Sequence, residues 1–99
     1  MNNINDVSNF IKANVNSMSI YNKPVLLSTR KNKKYMILDE NNRSFVHFGD
    51  LRYKDFLKTN DYYKRSLYYK RSSKIRGDWR NNEYSPNMLS MRILWKINM

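Results

Sequence analysis

The chain contains no cysteine, one histidine, one alanine, two glycines and two prolines in 99 residues. Without cysteine there are no disulfides and no thiolate metal sites. The single histidine, His47, leaves a zinc site without a credible ligand set. With Gly49 and Gly77 as the only glycines, a glycine-rich loop able to cradle phosphates is excluded, and no P-loop spacing occurs. No serine, histidine and aspartate stand in the order of a hydrolase triad, and no carboxylates cluster. No apolar run approaches the ~20 residues that cross a bilayer, so no transmembrane segment is expected. No basic start followed by an apolar run marks a secretory signal. The expectation is a protein with no catalytic residue, metal or cofactor. The shortage of Gly, Pro and Ala, set against abundant Asn, Lys, Tyr, Ile and Met, further points to an AT-rich coding genome.

What the chain has is positive charge. Lysine and arginine number 19 against 8 acidic residues, a net charge of +11. Self-repulsion of this size costs stability in the free protein and is relieved by an anionic partner. A chain this short buries only a little over ~60% of its unfolded surface, so partner contacts can add what a modest core does not supply. Its length is that of a single domain, 1–99.

Periodicity predicts an α+β fold: a small antiparallel β-meander of about three strands, packed with two or three helices. Residues 1–20 are polar and Asn-rich, with Ile4, Val7, Phe10, Ile11, Val15 and Met18 at helical spacing. They predict a loosely attached helix from about Asp6 to Asn16. Lys23-Pro24 turns the chain to extended backbone. Strands are expected over Val25–Thr29, Tyr35–Leu38 and Ser44–Phe48, with turns at Arg30–Lys34 and Asp39–Asn42. After Gly49-Asp50 the period becomes helical. Tyr53, Phe56 and Leu57 make one short turn. Asn60 or Asp61 caps a longer helix to about Ile75, which Gly77 terminates. Ser85-Pro86 starts a final helix that carries Met88, Leu89, Ile93 and Trp95.

Two basic clusters stand out. The first is the hairpin tip, with Arg30, Lys31, Lys33 and Lys34. The second is the long helix and the segment after it, with Lys64, Arg65, Lys70, Lys74, Arg76 and Arg80. Residues 51–99 carry twelve basic against four acidic side chains. At 100° per residue, Tyr63, Leu67, Tyr68 and Ile75 share one side, the expected core face. Tyr62, Arg65, Tyr69 and Ser72 or Ser73 lie opposite. An exposed Tyr62–Arg65–Tyr69 stripe suits nucleic acid, because arginine pairs with phosphate and tyrosine stacks on bases. The plainer reading is a solvated cationic face and a solvated turn. Lys64 and Arg71 fall within the apolar side and are read as structural, with Asp55, Asp61 or Asp78 as partners for Arg71. The expected core unites Leu67, Tyr68, Phe48, Ile37 and Trp95, and Leu67→Ala should cost about 2–5 kcal/mol. For His47, the nearby carboxylates are Asp50 and Asp55, and a structural role is expected.

An ordered series of residues carries a resemblance: Lys33-Lys34-Tyr35, His47-Phe48-Gly49, Tyr53, Asp55, Asp61, Lys64-Arg65, Tyr68, Arg71, Arg76, Trp79 and Leu94-Trp95. The series resembles a family of small basic proteins of unknown function encoded by large nucleocytoplasmic DNA viruses. Thr59 and Ser72 stand where members of that family carry histidine, which sets an enzymatic reading further aside. The resemblance implies a viral protein of the virion or the infected cell. The expectation is therefore a non-enzymatic, sequence-tolerant nucleic-acid-binding accessory protein, DNA before RNA, that contacts capsid or other virion proteins if packaged. The rival expectation is a minor capsid or virion structural protein that bridges acidic protein or inner-membrane surfaces.

Overall fold

A computed structural model describes residues 10–16, 20–52 and 56–97, with Lys58 by its backbone alone. The three strands are β1 (Leu26–Leu27), β2 (Lys33–Asp39) and β3 (Ser44–Asp50), antiparallel in the order β1-β2-β3. The helices are α1 (Phe56–Thr59), α2 (Tyr62–Ser72) and α3 (Pro86–Leu89), and α3 runs on as a π-helical segment over Ser90–Leu94. A 3₁₀ turn, Trp79–Asn81, lies between α2 and α3. The fold is α+β, a meander with helices packed against it.

The β2–β3 hairpin is set by apolar cross-strand pairs, with Tyr35 opposite Phe48 and Ile37 opposite Val46. Asp39 is buried, and its carboxylate builds the turn. It accepts the Asn41 N–H at 3.2 Å and the Asn42 amide at 2.8 Å. β1 is shorter than its apolar run because Ser28 intervenes. The Ser28 hydroxyl accepts the Arg30 N–H at 3.0 Å, and the chain turns there. Lys33 and Lys34, expected at the tip, are the first residues of β2. Gly49 and Asp50 likewise extend β3.

The expected N-terminal helix is corrected over its described part. Residues 11–13 are extended alongside β1: the Ala13 N–H bonds the Val25 carbonyl and the Leu27 N–H bonds the Ile11 carbonyl, both at 2.8 Å. Lys12 bridges to Leu26. Asparagine is a weak helix former, and an open sheet edge offers these backbone groups better partners. The start of that helix, and Tyr53 and Asp55, lie outside the described residues.

Asp61 caps α2, its carboxylate accepting the Lys64 N–H at 3.1 Å. The helix ends at Ser72 rather than Ile75, and Gly77 lies beyond it as a separate positive-φ position. The rotation of α2 differs from the expected one. Ser72 is buried and Tyr68 and Arg65 are half-buried, whereas Tyr63, Leu67 and Ile75 are 71%, 46% and 49% exposed. The inward stripe is Asp61, Arg65, Tyr68 and Ser72. A helix made mostly of tyrosine and cations has too weak an apolar contrast to fix its own rotation. Tyr68 fixes it, stacking on Trp95 with centroids 4.3 Å apart and planes 8° from parallel, a contact worth ~0.5–1.5 kcal/mol.

Ser85 caps α3 through the Met88 N–H at 3.2 Å, with Pro86 in the first turn. From Met88 to Trp95 nearly every apolar side chain is buried. The core joins Ile37 and Phe48 of the sheet to Phe56, Leu89, Ile93, Leu94 and Trp95, with Tyr68 packed on it. Leu67, expected in that core, is excluded from it by the rotation of α2.

A cationic cleft between the sheet and helix α2

Gly49 sits at φ +82° at the end of the hairpin, where a Cβ would lie 2.9 Å from Leu94 Cδ1 and 3.2 Å from Lys34 Cβ. The missing side chain lets the π-helical segment approach the sheet. Beside this contact opens a cleft of about 470 Å³. One wall is Lys33, Lys34, Gly49 and Asp50 from the strands. The opposite wall is Lys64, Leu67, Tyr68 and Arg71 from α2. Phe48, Leu94 and Trp95 form the floor, and Pro86, Asn87 and Ser90 close one end.

Four cations from two separate basic segments therefore surround one depression. Among the described residues, none of Lys33, Lys64 and Arg71 forms an ion pair. The Arg71 guanidinium lies 5.8 Å from the Tyr68 ring centroid. Neither of its described carboxylate candidates reaches it: Asp61 caps α2 and Asp78 bonds the Asn81 amide. Among the described residues, Asp50 is the cleft's single carboxylate. Arg52 holds it through two guanidinium nitrogens, at 3.1 and 2.7 Å, and a backbone N–H at 2.9 Å. These bonds lower its pKa to about 2.

The other expected site residues are dispersed. Arg30 and Lys31 are exposed in the turn between β1 and β2. Arg65 is half-buried, 4.9 Å from the Phe56 centroid and 5.0 Å from that of Tyr62, and its guanidinium reaches the Lys96 carbonyl at 3.5 Å. It braces α1 against α2 and does not stand out toward a ligand. Tyr62 is exposed but packs its ring edge-on to Phe56, and Tyr69 is 43% exposed. The expected stripe thus survives only as two tyrosines on either side of a committed arginine. Lys70 is exposed and does not line the cleft, and Lys74 and Arg76 are exposed beyond the helix. Arg80 lies over Trp79 at 4.4 Å and bonds the Ser73 carbonyl at 2.7 Å.

His47 Nδ1 lies 2.7 Å from the Ser28 hydroxyl. Burial first, then Arg30 and Lys33, lower its pKa. This bond ties the bend after β1 to β3. His47 does not line the cleft, and Asp50 is committed to Arg52.

Sequence reasoning missed Arg71, read as structural, and Asn87 and Ser90. Their part in the cleft depends on long-range packing, and no local spacing announces it. Among the described residues no group of His, Asp and Glu gathers as a metal site, and no helix is long and apolar enough to cross a membrane.

Residues 24–72, which include both strand walls and the whole of α2, are similar to a family described as "Family of unknown function (DUF5754)". No curated protein and no solved structure matches the chain.

Proposed function

We propose that this protein binds nucleic acid through phosphate contacts, without sequence preference and without catalysis, as an accessory protein of a large DNA virus. The observation that carries this reading is the convergence of Lys33, Lys34, Lys64 and Arg71 on one cleft whose only carboxylate among the described residues is already held by Arg52. A polyanion relieves that local repulsion and releases its own condensed counterions. Such contacts position a strand and carry no sequence information. The rival reading, a structural protein of the particle, draws on Tyr63 and Leu67, which stand exposed on α2 as a protein contact would require.

Titration against oligonucleotides over a range of salt tests the proposal. Three neutralised phosphates, at Lys33, Lys64 and Arg71, give log affinity a slope of about −2.7 against log salt on duplex DNA. Lys64→Glu and Arg71→Glu should lower both affinity and slope for every sequence alike, while Lys12→Glu and Lys70→Glu should act weakly. Equal effects from all four would leave only generic cation behaviour and favour the structural role.

A further inference from the structure

The cleft is more than a patch of charge. A phosphate backbone alone would need only its rim. Below the rim lies an apolar floor formed by Phe48, Leu94 and the Trp95 edge. At one end stand two polar side chains with spare hydrogen-bonding capacity. Asn87 spends one amide N–H on the Ser72 carbonyl at 3.3 Å, its only side-chain bond among the described residues. The Ser90 hydroxyl makes no side-chain bond among them. The volume, about 470 Å³, falls within the roughly 300–1,000 Å³ of small-ligand sites.

Cationic rim, apolar floor and a terminal amide and hydroxyl together match an anion that carries a flat, polar-edged, largely apolar body. Resting on the nucleic-acid reading, we infer that the cleft takes the base of one unpaired nucleotide, with its phosphates held by Lys33, Lys64 and Arg71. The base slides in against Leu94 and the edges of Tyr68 and Trp95, whose faces are already stacked on each other. Asn87 and Ser90 meet its hydrogen-bonding edge. Asn87 can donate or accept and so can a hydroxyl, which makes the pocket tolerant of base identity. In a duplex that edge is paired and the base is stacked, so only phosphates reach the rim. The protein therefore prefers single strands, and the preference resides in the cleft rather than in the exposed Tyr62 and Tyr69.

The test compares the full chain on an oligothymidylate and on a blunt duplex at equal salt by fluorescence anisotropy. The inserted base should favour the single strand by about tenfold, the scale of one base contact. Asn87→Phe fills the cleft from its end and should bring the ratio close to one by weakening the single strand. A folded Asn87→Phe protein that keeps the full preference overturns the inference. Where that variant does not fold, the wild-type chain decides by NMR. Thymidine monophosphate should shift the Asn87 side-chain amide and Ser90, whereas inorganic phosphate should shift only the rim cations. Identical shifts from both, confined to the rim, overturn it. Equal, salt-sensitive binding of both nucleic acids removes the cleft inference and leaves phosphate binding standing. No binding of either removes the nucleic-acid reading itself.

Discussion

The close approach at Gly49 can be measured against a control within the same chain. Both glycines have positive φ, +82° at Gly49 and +106° at Gly77. An alanine in that region costs ~1–2 kcal/mol, partly offset by ~0.4–1 kcal/mol from a less flexible unfolded chain. That net loss of about 1 kcal/mol is all Gly77→Ala should show, because no heavy atom lies within 4 Å of its would-be Cβ. Gly49→Ala adds a contact of 2.9 Å with Leu94 Cδ1. Leu94 is only 2% exposed and packs within the main core, which limits how far its methyl can yield. Overpacking of this kind costs ~1–3 kcal/mol. Gly49→Ala should therefore lose about 2–4 kcal/mol, and the difference between the two variants isolates the packing cost. Urea unfolding provides the assay, with a lower midpoint at unchanged slope. Equal losses at the two positions would refute the argument that the helical segment needs a bare backbone at Gly49.

The rotation of α2 is checked by two leucines: Leu67→Ala should cost well under ~1 kcal/mol, because the side chain is half in solvent, whereas the fully buried Leu89→Ala should cost about 2–5 kcal/mol. Comparable losses would mean that α2 turns Leu67 inward after all. For His47, a folded pKa below the ordinary 6.5 means that the unfolded chain binds the proton more readily. Its contribution to stability is then fully present above 6.5 and is lost as the pH falls from there toward the folded pKa. Urea midpoints taken between about pH 7.5 and 5 should therefore decline less in His47→Gln than in the wild type, and parallel declines would exclude His47 as the titrating group.

The elements and their punctuation are legible in the residues alone. Alternating apolar runs and the Asp39–Asn42 turn chemistry specify the β2–β3 hairpin, and Asp61 and Ser85-Pro86 mark two helix starts, because each signal acts within a few residues. The cationic character of the protein, and the division of its cations between two segments, are equally plain there. Three further matters depend on how the elements pack. Residues 11–13 became an extended edge because β1 offered backbone partners that a weak Asn-rich helix could not match. The rotation of α2 came from the stacking of Tyr68 on Trp95, a contact across 27 residues, since a helix of tyrosines and cations has no strong apolar side of its own. That rotation withdrew Arg65 into a brace and turned Lys64 and Arg71 toward Lys33 and Lys34. The cleft exists because Gly49 admits Leu94 against the sheet, and closeness between residues so distant in the chain is a property of packing that no local pattern encodes.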